Sequence, residues 1–384
     1  MTGRGFAPSE YESRLGQIQR RMGRSELSAL LLTTDADIRY VTGFLTRFWE
    51  SPTRPWYVVV PQQGRPIAVI PSIGAALMGQ TWVEDIRSWR APDYHDDGVS
   101  LLGDTLCEVV PPKGRIGIPS ENGTHLRMPL ADWQRLQIAM NDRLLTDDDG
   151  LMGAQRAVKS DAEIDKILAA CATAGRAFER VPEIARLGTP LSDVFRRFQM
   201  LCLEEGADWV PYLAGGAGPG GYRDVISPAT DHSLAAGDIL MLDTGLIQDG
   251  YFCDFDRNFS VGPPTSETTA AHARLIEATQ AAFDMAKPGL TAAQLFDVMD
   301  KIVTGGQGGS DAGRLGHGLG MQLTEPPSLI AADQTILEPG MVLTLEPGID
   351  LGDGRIMVHE ENIVIRENGA QWLSPPADVP LREV

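Results

Sequence analysis

The sequence predicts a two-domain chain, an α/β domain followed by a larger α+β domain, and three observations lead there. A length of 384 residues suits two domains of roughly 100–200 residues, each able to bury its own core. Short apolar runs broken by turns and helical stretches fill residues 1–152, whereas helices followed by blocks of strands fill residues 153–384. Hydrophobic residues make up 43% and charged residues 22%, which excludes a disordered or fibrous chain.

Taken in order, Ser9 and Glu12 make a capping box ahead of Tyr11, Leu15, Ile18 and Met22, whose spacing predicts an amphipathic helix. Strands are expected at 29–32, 56–60, 66–70 and 114–118, with helical stretches near 72–80 and 129–139. The acidic run Asp147-Asp148-Asp149-Gly150 is the expected exit from this domain. A second capping box, Ser160 with Glu163, starts a helix whose Ile164, Ile167, Leu168, Cys171 and Ala174 share a face. Thr189-Pro190 opens the next, with Leu191, Phe195, Phe198 and Cys202 facing inward and Gly206 ending it. Strands are then expected at 239–243, 251–261, 341–349 and 357–365, and helices at 266–287 and 292–304. Helices then strands, twice over, predict a duplicated α+β unit. The glycine-rich run 215–221 lacks the Gly-Lys-Ser/Thr of a phosphate loop and reads as a flexible turn beside a pocket.

The formal charge of −19, from 33 basic and 52 acidic residues, makes nucleic acid and anionic membrane poor partners. Four dispersed cysteines, Cys107, Cys171, Cys202 and Cys253, form no zinc-type spacing and read as reduced thiols. With no apolar leader and no run of about 18 apolar residues, the expected location is the cytoplasm.

The chemistry concentrates in a few acids. Asp243 ends the apolar run 239–242, where an unpaired charge would cost several kcal/mol. A hairpin through Gln248-Asp249-Gly250 would bring Asp254 beside it. Glu346 ends another apolar strand, Glu360 lies inside 357–363, and His317 sits between glycines that permit close backbone approach. Like charges so close require cations. Four carboxylates and one imidazole suit two divalent ions of the Mn, Fe, Co or Zn kind, with a water or hydroxide between them.

These residues resemble the pita-bread metallopeptidases, which include aminopeptidase P, prolidase, methionine aminopeptidase and the non-peptidase creatinase. Leu242-Asp243-Thr244-Gly245 and Gly250-Tyr251-Phe252-Cys253-Asp254-Phe255-Asp256-Arg257 resemble the paired aspartate motifs of that family. Gly316-His317-Gly318-Leu319-Gly320, the 340–348 segment around Glu346, and Glu360-Glu361-Asn362 resemble its histidine and glutamate motifs. Arg156-Ala157-Val158-Lys159-Ser160 resembles the opening of its catalytic domain, and residues 38–44 resemble a motif of the creatinase-like N-terminal domain. The resemblance implies that Asp243 chelates a first metal, His317 and Glu346 hold a second, and Asp254 and Glu360 bridge. The resemblance selects Glu360 over Glu361, because Glu360-Glu361-Asn362-Ile363-Val364 overlays the family's Glu-Asp-Thr-Val-Leu run and in a strand only one of two neighbours can face the site. It also implies a homodimer.

The chain departs from the peptidases of this family at two histidines. Thr324 stands at one position, and Asp224 or Ile226, depending on the gap chosen, at the other. A hydroxyl cannot be a cationic proton donor near neutral pH, so Asp224 and Thr324 become catalytic candidates in place of the histidines. Arg257, three residues after Asp254, is a further candidate, either catalytic or orienting an acid. Arg47 and Trp49, in the loop that ends at Arg54, and His359 are candidate substrate contacts, although strand alternation turns His359 away from the site. The expected function is hydrolysis of a C–N bond, in an Xaa-Pro dipeptide or a similar small amide, by an enzyme of the Xaa-Pro dipeptidase or aminopeptidase P kind. The alternatives are a lyase or an enzyme of the creatinase or ectoine hydrolase kind acting on a small zwitterion, and an inactive peptide-binding module. Retention of all five ligands argues against the last.

Overall fold

A computed structural model describes residues 4–51, 54–310 and 313–384. The chain divides into two compact units, residues 1–156 and 157–384; the sequence reading divides it after 152, inside the helix that closes the first unit.

In the first unit the order is α1 (Pro8–Arg24), β1 (Leu27–Leu32), α2 (Asp35–Thr42), β2 (Tyr57–Pro61), β3 (Ile67–Pro71), α3 (Ala75–Met78), β4 (Asp85–Trp89), α4 (Val99–Val109), β5 (Arg115–Ile118), α5 (Leu130–Ala139), β6 (Leu144–Asp147) and α6 (Leu151–Ala157). Its strands make one mixed sheet in the order β4-β3-β2-β1-β5-β6. β1, β2 and β3 are buried almost throughout because they are central and covered on both faces. Tyr11, Leu15, Ile18 and Met22 are the buried stripe of α1, as their spacing predicts. The capping box does not form: the helix begins at Pro8 with Ala7 as its cap, so Ser9 lies one residue inside it. α2, β4, α4 and β6 were not anticipated. Asp148, in the acidic exit, accepts the Met152 amide and caps α6.

The second unit runs α7 (Asp161–Glu179), α8 (Leu191–Glu204), β7 (Trp209–Pro219), β8 (Asp238–Gln248), β9 (Tyr251–Phe252), β10 (Phe255–Ser260), α9 (Ser266–Met285), α10 (Ala292–Val303), β11 (Gly316–Gly318), β12 (Glu325–Ser328), β13 (Val342–Leu345), β14 (Gly348–Gly352), β15 (Arg355–Val358), β16 (Glu361–Arg366), β17 (Gly369–Trp372) and β18 (Arg382–Glu383). Two helix pairs and two larger sheets, antiparallel except for the parallel β10–β18 pair, give the expected duplication. One sheet runs β18-β10-β8-β7, with β9 hydrogen-bonded to β8, and the other runs β12-β11-β13-β16-β17. α7 and α8 pack on β8 and β7, and α9 packs on β17.

The Ser160–Glu163 capping box forms, but Leu168 is exposed and the buried face runs instead through Ile164, Ile167, Ala170, Cys171 and Ala174. Most of the glycine-rich run is strand rather than flexible turn, since β7 extends to Pro219 and only Gly220 and Gly221 turn. Gly215 to Gly218 pair with β8, and at Gly215, where φ is +141°, a Cβ would stand 2.1 Å from the Met241 carbonyl. Glycine is there to let two strands approach. The three long strands expected at 251–261, 341–349 and 357–365 are each broken, at Cys253-Asp254, Glu346-Pro347 and His359-Glu360. Each break carries an acid of the expected cluster.

Candidate metal centre

β8 and the β9–β10 segment form a hairpin through Asp249 and Gly250, both with positive φ, which is the two-residue turn that matches strand twist. Its register sets Ile247 opposite Phe252 and Asp243 opposite Asp256. Asp254 is therefore diagonal to Asp243. β11 and β16 flank β13 in the other sheet, so His317, Glu346 and Glu360 come from one sheet while Asp243 and Asp254 come from the other.

Carboxylate oxygens of Asp243, Asp254 and Glu360 lie within 4.8 Å of one another, and all three residues are buried. His317 Nε2 is 3.3 Å from Asp254 Oδ2 and 3.9 Å from Glu346 Oε2. All five residues expected to hold metal are thus brought together. Gly316, with φ +138°, admits this: a Cβ there would meet the Thr344 carbonyl of β13 at 2.2 Å. His317 Nδ1 faces the Gly318 carbonyl at 2.8 Å; a carbonyl can only accept, so Nδ1 carries the proton and the Nε2 lone pair points at the acids.

Burial raises the pKa of Asp243, Asp254 and Glu360 well above the carboxylate range, and the neighbouring carboxylates raise each of them further. Burial, and then the charge of Arg314, lower that of His317. Asp243 Oδ1 and Glu346 Oε2 are buried with no hydrogen-bond partner among the described residues. Carboxylates packed this way, with orphaned oxygens converging and an imidazole lone pair among them, lack only positive charge. The donor set of oxygens and one nitrogen fits divalent metal.

A support layer surrounds the cluster. Asn362 clamps the Asp254 backbone from both sides, its Oδ1 accepting the Asp254 amide at 3.0 Å and its Nδ2 donating to the Asp254 carbonyl at 2.5 Å. Asp256 accepts the Glu360 amide at 2.9 Å. The Tyr212 hydroxyl hydrogen-bonds Asp243, and burial with the nearby acids holds its own pKa up. Asp256, Tyr212 and Asn362 were not singled out from sequence. Asp256 could have been: in antiparallel register it has to share a face with Asp243.

Other candidates fall elsewhere. Asp224 is exposed and closes a turn, accepting the Ile226 and Ser227 amides at 3.0 and 2.7 Å; its carboxylate serves the backbone, not the cluster. Arg257 is not catalytic in position: it donates to the carbonyls of Glu360 and Pro375 and, at 3.1 Å, to Glu361. Glu361 would be raised by burial, but Arg257, His359 and Ser374 outweigh that and hold it near about 2. His359, expected as a substrate contact, is instead 1% exposed, with Nδ1 3.3 Å from Asp256 and Nε2 3.2 Å from Glu361. Thr324 is half-buried and accepts Arg314 Nη2 at 3.3 Å. In the first unit, Trp49 is half-buried between Trp56, at 5.8 Å between rings, and the Arg127 guanidinium, at 5.2 Å. Arg127 also takes the carbonyls of Trp49, Ser51 and Arg54, fixing the loop that presents an exposed Arg47.

A duplicated α+β unit with buried acids and an imidazole converging between its two sheets defines a metal-dependent hydrolase. The chain belongs to metallopeptidase family M24, whose model matches residues 165–367, and residues 14–158 match the creatinase/prolidase N-terminal domain. It is 30% identical over 375 residues to a probable dipeptidase PepE of Mycobacterium tuberculosis, covering 96% of both chains. It is 32% identical over 225 residues to an Xaa-Pro dipeptidase of Pyrococcus furiosus, covering 57% of this chain and 63% of that one. Among solved structures, dipeptidase PepE from Mycobacterium ulcerans superposes with a TM-score of 0.85 at 27% identity over the whole of both chains. The prolidase of Thermococcus sibiricus shares the fold, with a TM-score of 0.87 at 22% identity over 99% of this chain and 100% of that one.

Proposed function

We propose that the chain is an Xaa-Pro dipeptidase that works with two divalent ions of the Mn, Fe, Co or Zn kind. The observation that carries this is the buried convergence of Asp243, Asp254 and Glu360, with His317 and Glu346 at its edge. Asp243 would hold one ion, His317 and Glu346 the other, and Asp254 and Glu360 both. Bound there, the metals would polarise the scissile carbonyl and make water nucleophilic near neutral pH.

The chain's own residues prepare that site. The Gly318 carbonyl keeps the His317 proton on Nδ1, leaving Nε2 free to ligate. Asn362 fixes Asp254, Asp256 fixes the backbone of Glu360, and Arg257 keeps Glu361 ionised and turned away. Buried free thiols at Cys171, Cys202 and Cys253 support a cytoplasmic location, and no helix among the described residues is long and apolar enough to cross a membrane. The homodimer is inferred from the resemblance.

One observation favours a second reading, a non-peptidase enzyme acting on a small zwitterion: neither Thr324 nor Asp224 can donate a proton as an imidazolium would. The test is product release from a panel of Xaa-Pro dipeptides by Mn-loaded protein, with Asp254→Ala as control. Cleavage that is lost in the control upholds the dipeptidase. Bound metal with no dipeptide cut hands the site to the second reading.

A further inference from the structure

The two ligands proposed to bridge come from different sheets, and residues of the opposite sheet hold the backbone of each. Asp254, beside β10, is clamped by Asn362 of β16. Glu360, beside β16, donates its amide to Asp256 Oδ1 at 2.9 Å, and its carbonyl accepts Arg257 Nη1 at 3.3 Å; both partners lie in β10. Asn362 is steadied by its own two-sided bond, but Asp256 has no such second hold on Glu360. It is buried, its Oδ2 has no hydrogen-bond partner among the described residues, and it stands opposite Asp243, whose like charge pushes against it.

His359 stands where a brace is needed. Its ring is 1% exposed and lies between carboxylates of the two sheets, with Nδ1 3.3 Å from Asp256 Oδ1 and Nε2 3.2 Å from Glu361 Oε1. The His272 ring packs against it, with 6.1 Å between ring centroids. Glu361 cannot yield, because Arg257 Nη2 at 3.1 Å, the Ala377 amide at 2.7 Å and the Ser374 hydroxyl already hold it. The fixed position of Glu361 is therefore passed through the imidazole to Asp256. Resting on the two-metal reading, we propose that His359 is a positioning residue for the metal centre: it braces Asp256 against Glu361, so that Asp256 keeps the Glu360 backbone where the Glu360 carboxylate serves both ions.

The experiment is stepwise Mn titration against a competing chelator, which gives the affinity of each ion, in wild type, His359→Phe, His359→Gln, Asp256→Ala and the double variant His359→Phe/Asp256→Ala, with circular dichroism reporting the fold. Losing a group that orients a ligand costs about 10–100-fold in metal affinity. In His359→Phe that loss should fall on the more weakly held ion, since a displaced Glu360 leaves the other ion its remaining ligands. His359→Gln keeps one donor and should lose less. Because His359 acts through Asp256, the double variant should bind Mn no more weakly than the worse single variant. Should His359→Phe fail to fold, the same cycle is run with His359→Gln. A folded variant at position 359 that holds two ions with wild-type affinity, whatever its Tm, or losses that multiply in the double variant, overturn the assignment and leave the two-metal reading standing. Wild type that holds fewer than two ions removes that reading and the assignment with it.

Discussion

His317 and Asp254, which belong to different sheets of the second unit, meet with Nε2 and Oδ2 3.3 Å apart, so the two halves of the duplicated fold close on each other through the candidate ligands. Without a cation this closure is costly, because Asp243, Asp254 and Glu360 are all buried and repel one another. Stripping metal with a chelator should lower Tm, and Asp243→Asn should raise the Tm of the stripped protein while abolishing activity of the loaded one. Differential scanning calorimetry checks this, and a chelator-insensitive Tm would refute it.

Asn362 holds Asp254 through both its amide and its carbonyl, and its own Oδ1 also accepts from Cys171 at 3.3 Å. Asn362→Leu, similar in volume but unable to form either clamp, should weaken metal binding by about 10–100-fold, the usual effect of losing a group that orients a ligand. Metal titration with a competing chelator measures it.

Lys159 and Glu325 form an ion pair with both side chains at most 3% exposed. Breaking it leaves a buried charge, so Lys159→Met should cost about 3–5 kcal/mol. Adding Glu325→Leu should recover much of that loss. Urea denaturation of the single and double variants gives the comparison, and a double variant no better than the single would show that the pair is not self-contained.

His272 is 3% exposed and its Nδ1 faces the Val379 carbonyl. Burial, with a smaller push from His359, lowers its pKa to about 4. The unfolded chain binds this proton near pH 6.5 and the folded chain does not, so the contribution of neutral His272 is complete above about pH 6.5. It is lost as pH falls toward 4 and amounts to at most about 3 kcal/mol. The carboxylates of the metal centre titrate in the opposite sense, so the comparison uses metal-loaded wild type and His272→Gln. Between pH 7.5 and pH 5, wild type should lose more stability than the variant.

Part of the site could be read from sequence because Asp243 and Glu346 follow apolar runs, a place that solvation alone does not explain. In the fold Asp243 lies inside β8, which continues to Gln248, whereas Asp254, Glu346 and Glu360 lie at strand breaks. What stayed hidden depends on pairing between distant strands. Tyr212 matters because β7 lies against β8, a pairing not visible from one segment alone, whereas Asp256, opposite Asp243 across the hairpin, was within reach of the sequence. The glycines of β7 carried a local signal for a turn that tertiary packing overrode, since strand approach needs small residues as much as turns do. In the first unit, β4 and β6 lie at the sheet edges with exposed residues, so they lack the apolar runs that mark β1, β2 and β3.

The central claim is that Asp243, Asp254, His317, Glu346 and Glu360 together hold two metal ions. It is tested most directly by counting bound Mn per chain, by elemental analysis after equilibrium dialysis, in wild type, Asp254→Asn and Glu360→Gln. The account predicts two ions in wild type and at most one in either variant, because each removes a carboxylate shared by both ions. Wild type that binds none, or variants that bind as many ions as wild type with equal affinity, would contradict it.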